Sequence, residues 1–476
     1  MELRIYANKC NFAKLSMKRL LGILLGISAL VLATGCEWLH HEEPDTKEFD
    51  NLVIVCQAGY LPGTNNLSSF LMDNTEALKR GYVPTKKDPD ALILISHLSL
   101  TEGKVSAPCV VRMYKKNTRR KNTTVVMDTV KVYSEFTTLT KTPTLDTVLT
   151  WINENYPART KGLVFSSHGT GWLPQGYYGN PRRFDPDYRS GDEIIWADVK
   201  RTARPQFPPV SEGVPHIEYP YIDGIPVRSA DSGYVDVPVR SLGTESGWNS
   251  SGNKVDFEIE PQSFRDCFPF RFDYMILDAC LMGGVEVAYQ LRDICGKVVF
   301  SQAEILADGM VYDTMMEHLC KGKTPDLLAV AQDFFDHYNT KSGVYRSCTV
   351  SCVDCGRMVP LANLCRELFS VYADEMASVI PSSVQSYFRS GKHWFYDLRD
   401  IMVQAGASED DLKRLDAALS QCVLYKEATP TMLKGSNGFD IRTHCGLSMY
   451  LPCNGGAYLD ARYKELDWNE ATALVK

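Results

Sequence analysis

Two short phrases carry residue types that can do covalent chemistry together. In GLVFSSHGTGW (162–172) an apolar run ends at His168. In DYMILDACLMGG (273–284) the apolar run from Tyr274 to Leu277 meets Asp278 and then Cys280. Short apolar runs of this kind read as buried strands, so both side chains fall at a strand's carboxyl end. If the two strands are neighbours, an imidazole and a thiol enter one crevice. That is the minimum set for thiol acyl transfer: cysteine supplies the nucleophile, and histidine gives a proton to the departing amine. Gly169 lets a substrate backbone approach closely, and its N–H can face a developing oxyanion. A helix expected to start near Leu281 sets its positive end beside Cys280 and favours the thiolate. Taken singly, each residue has a plainer reading. A histidine at a strand end is commonly structural, and a cysteine before a helix is commonly just packed.

The elements that must position this pair alternate along the chain. Apolar runs at 52–56, 91–100, 109–114, 162–167, 274–277 and 297–301 are separated by helical patterns such as 66–79 and 144–155. In the second pattern Leu145, Val148, Leu149 and Ile152 share one face. Buried strands alternating with helices predict a mainly parallel sheet covered on both faces, with functional groups at the strands' carboxyl ends. Residues 174–254 interrupt the alternation with a Pro- and Gly-rich stretch that reads as a long surface excursion. Beyond residue 310 the chain is helix-rich. A helix over 324–338 is expected with Thr324 as its cap and Pro325 at its first position, and others near 357–379, 394–405 and 408–420. A strand-like phrase, GLSMYLP (446–452), follows.

The N-terminus reads as a targeting segment. Lys14, Lys18 and Arg19 precede the apolar run 20–33, and TGC follows. That run is short for a membrane span and suits a signal-peptide core. The small residues before Cys36 resemble a bacterial lipobox, whose cysteine becomes diacylated, although Ala33 stands where Leu is usual. Met17 as the true start, or an uncleaved anchor, are the alternatives. The expected organisation is a leader over 1–35, a polar tether over 36–51, a catalytic domain over 52–313 and a helix-rich region over 314–476. A net charge of −7 gives no reason to expect nucleic acid as a partner. The 15 cysteines are scattered, often in apolar runs. Only Cys352 and Cys355 form a C-x-x-C pair, and no second pair completes a zinc site, so no metal site is expected.

SSHGTGW followed by ILDACLMGGVEVAYQLRD resembles the clostripain family of cysteine peptidases, of the same clan as caspases, legumain and gingipains. LPGTNNLSSFLMDNTEALKRG (61–81), SQAEILADGMVYD (301–313), HWFYDLRDIM and GLSMYLP resemble further segments of that family, so the likeness covers roughly residues 50–470. Two departures are Ser167, where the family often has Asp, and the long excursion between His168 and Cys280. The resemblance implies a caspase-like α/β/α sandwich with a helix-rich C-terminal extension, and His168 and Cys280 as the catalytic dyad. Caspases carry a glutamine where this chain has Asp278, and that residue lines the pocket for the P1 side chain. Asp278, with Asp308 in a second acidic position of the family, implies a P1 arginine or lysine, since a guanidinium pairs bidentately with a carboxylate. The alternative for Asp278 is a cap on the helix expected at Leu281. Relatives mature by cutting themselves between histidine and cysteine, which directs attention to Arg182 and Arg183 in NPRRFDP and to KRTARP (200–205) as self-cleavage points. The chemistry requires no cofactor, and calcium stands as a candidate activator. The expected partners are Arg- or Lys-containing peptides and, through lipid on Cys36, a membrane on the exported side. The rival readings are a peptidase of the same clan with another P1 preference and an inactive, peptide-binding surface lipoprotein.

Overall fold

The computed structural model describes residues 48–58, 67–98, 105–117, 123–136, 138–186, 188, 245–248, 254–257, 259–389, 393–434 and 438–476. The strands among them are β1 (Phe49–Gln57), β2 (Asp90–Leu98), β3 (Val105–Asn117), β4 (Thr123–Val132), β5 (Ala158–Ser166), β6 (Glu245–Trp248), β7 (Lys254–Phe257), β8 (Phe272–Asp278), β9 (Cys295–Phe300), β10 (Thr349–Asp354), β11 (Tyr396–Asp397), β12 (Val423–Ala428) and the two-residue β13 (Thr431–Met432), β14 (Phe439–Asp440) and β15 (Ser448–Met449). Nine of them form one sheet in the order β12-β10-β9-β8-β5-β1-β2-β3-β4. From β9 across to β2 every pairing is parallel. Both margins are antiparallel, through β10 and β12 on one side and β3 and β4 on the other. The expected mainly parallel sheet therefore describes the centre. At the margins, β3 and β4 pair as neighbouring strands, which lets an antiparallel ladder replace a crossover.

The central strands are continuous hydrophobic runs because both faces are covered. Leu52 to Cys56 in β1 and Tyr274 to Leu277 in β8 are all buried. The helices Ser68–Arg80 and Tyr312–Cys320 pack on each other, and the latter packs on Leu327–Asn339. A second group comprises Thr142–Asn155, which meets Phe264–Cys267, and Met358–Val371, which meets Glu409–Cys422 and Asp467–Thr472. Parity along β8 separates the two faces. Asp278 bonds to Tyr312 of the first group, whereas Met275 and Leu277 share an apolar cavity with Phe264 and Phe268 of the second. The arrangement is an α/β/α sandwich.

Several expectations shift. The turn after Cys280 does not become helix until Val285, with Gly284 at the cap. The helix expected from Thr324 starts at Leu327, capped by Asp326, whose carboxylate accepts from the Ala329 N–H at 3.0 Å. Capping needs the oxygen three residues before an orphan N–H, and Asp326 supplies it. The helix expected at 394–405 runs over Leu398–Gln404, because Tyr396 and Asp397 pair with Ser448 and Met449 instead. GLSMYLP contributes only that two-residue strand. The start of the excursion is core rather than surface: Trp172, Tyr177 and Tyr178 are buried, and Tyr177 lies 5.3 Å from Trp394 and 5.5 Å from Tyr458, ring to ring. Pro and Gly dominate its composition and hide this aromatic anchor. β6 and β7 pair as a short hairpin, and the rest of the excursion lies outside the described residues.

Candidate active site

The sheet order reverses at β1, with β2 on one side and β5 on the other, and β5 lies beside β8. Crevices at the carboxyl ends of such strands bind ligands. β5 and β8 run in parallel with Ser166 opposite Asp278, and the Ser167 N–H extends the ladder to the Asp278 carbonyl at 3.2 Å. His168 and Cys280 each lie two residues beyond that matched pair. Both lie past the strand ends, where alternation no longer sets the face: His168 lines the cavity shared by Met275, Leu277, Phe264 and Phe268, while Cys280 Sγ meets the Ile305 backbone. Ser166 and Asp278 themselves share a face, the Ser166 hydroxyl donating to Asp278 Oδ2 at 3.0 Å.

The two exits from the strands interlock. A Cβ on Gly169 would fall 2.4 Å from the Cys280 carbonyl oxygen, so only glycine lets the histidine loop pass this close. Gly171 has φ +63°, and a Cβ there would fall 2.7 Å from the Leu281 carbonyl oxygen. Leu281 itself has φ 62°, a conformation that costs a non-glycine residue on the order of 1–3 kcal/mol. Backbone bonds hold it there: Leu281 N–H to Ala303 O at 3.0 Å, Gly283 N–H to Ser301 O at 2.7 Å, and Ser448 N–H to Gly283 O at 2.9 Å.

The loop between β9 and Tyr312 grips the same turn at two points. The Ile305 N–H donates to Cys280 Sγ at 3.1 Å, and the thiol in turn faces the Ile305 carbonyl at 3.6 Å. The helix at Val285 begins too far along the chain to set its positive end beside Cys280. The Tyr312 hydroxyl donates to Asp278 Oδ2 at 2.6 Å. Asp278 is therefore no helix cap. It is fully buried, at 0% exposure, one strand step below the cysteine. Asp308, on the same loop, is exposed. Its charge raises the Tyr345 hydroxyl after burial does, and it raises Asp73 likewise.

Both members of the pair are covered, with Cys280 at 0% and His168 at 6% exposure. Tyr178 lies near Cys280. Burial pushes its phenol well above the usual range, and Glu304 and then Cys280 push it further, while Arg389 opposes them. Arg389 is ion-paired with buried Glu304, next to Ile305 in sequence. Tyr188 stacks on His393 at 5.6 Å and 9°. Arg182 and Arg183, between Tyr178 and Tyr188, form an exposed 3-10 turn, Pro181–Arg183. KRTARP and Cys36 lie outside the described residues.

Sequence reasoning missed Ile305, Tyr312, Tyr178 and the Arg389–Glu304 pair. Tyr312 was in reach, four residues after Asp308. The others act through backbone or through packing between distant segments, which leaves no spacing signature. Among the described residues no group of His, Cys, Asp and Glu is arranged to hold a metal ion, and no helix is long and apolar enough to cross a membrane.

The sequence model of the clostripain family, Peptidase_C11, matches residues 264–474, which include β8, Cys280 and the loop that holds it. No curated protein matches the chain. Among solved structures, the fold is similar to an inactive zymogen C11 protease from Parabacteroides distasonis, at 22% identity and TM-score 0.63, covering 90% of this chain and 99% of that one. A secreted C11 cysteine protease from Bacteroides thetaiotaomicron, iotapain, matches at 18% identity and TM-score 0.63 over the same shares. A secreted C11 protease of that organism bound to an irreversible peptide inhibitor matches at TM-score 0.61 and 18% identity, over 89% of this chain and 98% of that one. Residues 264–474 thus match the clostripain family of cysteine peptidases in sequence, and the sandwich that carries them has the fold of the C11 proteases.

Proposed function

We propose that the chain is an endopeptidase that cleaves after arginine or lysine with Cys280 and His168 as its dyad. The observation that carries this reading is that β5 lies parallel beside β8 and that the loop after His168 passes against the Cys280 backbone, where a Cβ on Gly169 would fall 2.4 Å from the Cys280 carbonyl oxygen. Cys280 Sγ attacks the scissile carbonyl carbon, and His168 protonates the departing amine. The resulting thioester is hydrolysed by water activated by the same imidazole. The Gly169 N–H faces the oxyanion. Asp278 forms the floor of the P1 pocket and Asp308 its rim. Burial of Asp278 strengthens any pairing with a guanidinium, since water does not compete there.

The burial of Cys280 and the exposure of Arg182 and Arg183 support a latent single chain that matures by cutting itself. The nearby Tyr178 and the stacked Tyr188 belong to the segment that such a cut would loosen. The first 35 residues act as an export leader, and Cys36 carries lipid that tethers the domain through residues 37–51. The secreted status of iotapain supports export. Catalysis uses no cofactor, and calcium acts as an activator.

The Asp278 bonds to Ser166 and Tyr312 favour a second reading in which this carboxylate braces the strand end and the P1 preference is different. Short reporter peptides ending in Arg, Lys or Asp, with wild type and Cys280→Ala, with calcium and with chelator, separate the two. Cysteine-dependent turnover after Arg and Lys is expected. Turnover only after Asp leaves the second reading, and turnover that survives Cys280→Ala removes the first.

A further inference from the structure

Glu286 lies six residues beyond Cys280, in the short helix Val285–Gln290, and is buried at 2% exposure. A carboxylate rarely occupies such a place without a task. Its Oε1 accepts two bonds from the far end of the chain, from the Tyr463 hydroxyl at 2.7 Å and the Tyr450 N–H at 2.9 Å. Its Oε2 is buried with no hydrogen-bond partner among the described residues, as is the Ser448 hydroxyl, and both lie against Gly284. The same two tyrosines receive the histidine loop. Trp172, four residues after His168, packs edge-on against Tyr450 at 4.8 Å and Tyr463 at 4.9 Å. The turn carrying Cys280 and the loop carrying His168 thus meet a common support, and Glu286 fastens that support to the cysteine side.

We propose that Glu286 is a positioning residue for the dyad, fixing the spacing of Cys280 and His168 through Tyr463, Tyr450 and Trp172. The proposal rests on the functional reading above, since it presumes that this pair is the dyad. The joint is sensitive to pH. Burial raises the Glu286 carboxyl to about 7, opposed by the bonds from Tyr463 and Tyr450 and by its own backbone N–H. The titratable groups facing it are those two tyrosines, with Asp460 bonded to the Tyr450 hydroxyl at 2.8 Å and Cys365 beside Tyr463. Below that pH the carboxyl is neutral, and its proton can reach the Ser448 side. Above it, a bare buried oxygen carries charge, draws in water and loosens the joint.

The test uses the full chain, brought to constant activity, as wild type, Glu286→Gln and Glu286→Leu, with an Arg-ending reporter from about pH 5.5 to 9. Glutamine keeps the neutral shape and both accepted bonds. We expect its kcat to match wild type within about two-fold near pH 6 and to exceed it about three-fold or more above pH 8, with KM unchanged. Leucine loses both bonds, and kcat falls about ten-fold or more at unchanged KM. A Gln-to-wild-type ratio that stays flat across pH overturns the proposal, and so does a folded leucine variant with wild-type kcat. If leucine does not fold, the glutamine profile alone decides. A wild type whose turnover does not depend on Cys280 overturns the functional reading itself, and this inference with it.

Discussion

The two segments that leave the catalytic strands are held by different forces. After Cys280 the chain is stapled by backbone: Ala303, Ser301 and Ser448 bond to residues 281–283, and Ile305 bonds to the sulfur. After His168 the close backbone approach to the cysteine turn ends at Gly171. From Trp172 to Tyr188 the backbone–backbone bonds are local turns, and the contacts with distant segments are mainly between rings, with Tyr177 and Tyr178 against Trp394 and Tyr188 against His393. Backbone bonds fix position to a fraction of an ångström, and losing one in the interior is costly. Aromatic contacts hold an area with less directional constraint, each pair contributing on the order of 0.5–1.5 kcal/mol beyond its buried area. Cys280 thus sits in a backbone-bonded frame. The segment that holds Tyr178 carries the Pro181–Arg183 turn with both arginines exposed, and on the proposed reading a cut there loosens it.

The largest expected effect tests the rigid side. Asp278→Asn keeps the size of the side chain and its acceptor for Ser166 and Tyr312 while removing the charge. We expect kcat/KM for Arg and Lys reporters to fall about 100-fold, with little change for an uncharged P1. An equal loss across all P1 residues, with a lowered melting temperature, would make Asp278 a brace of the frame. A middle-sized effect tests the releasable side. In Arg182→Ala/Arg183→Ala, intact-mass analysis should show the single chain persisting and turnover appearing about ten-fold more slowly than in wild type. Cleavage of Cys280→Ala at the same place would mean another protease cuts there.

The smallest effect sharpens the contrast through stability. The Glu286 carboxyl stands near 7 in the fold against an unfolded value near 4.5, so the fold prefers the proton. Its favourable contribution is complete below about pH 4.5 and is lost as pH rises through about 7, a change of up to about 3 kcal/mol. Denaturant melts of wild type and Glu286→Gln should diverge over that window, with wild type the weaker at pH 8. Parallel curves would place the buried carboxyl outside the balance that holds the frame.

Much of the frame was legible before any coordinates. Runs such as GLVFSS and YMIL read as strands buried on two faces, and their endings in His168 and Cys280 pointed to one crevice. β4 and β12 were not legible, because TTVVMDTVKV and VLYKEA are marginal strands, half-buried and patterned by their single neighbour. The supposed helix at Leu281 failed for a related reason: local composition allowed it, but bonds from Ala303 and Ser301 pull the backbone into a turn first.

From sequence alone, residue type and periodicity determined which side chains stand at which strand ends, because alternation and burial are local properties of the chain. Neighbourhood belonged to the tertiary structure. That β5 lies against β8 in this register, that Ile305 reaches the sulfur, and that Tyr463 reaches Glu286 from the far end of the chain all depend on contacts between residues far apart in sequence. No window of sequence contains both partners of such a contact, so only the folded packing could decide them.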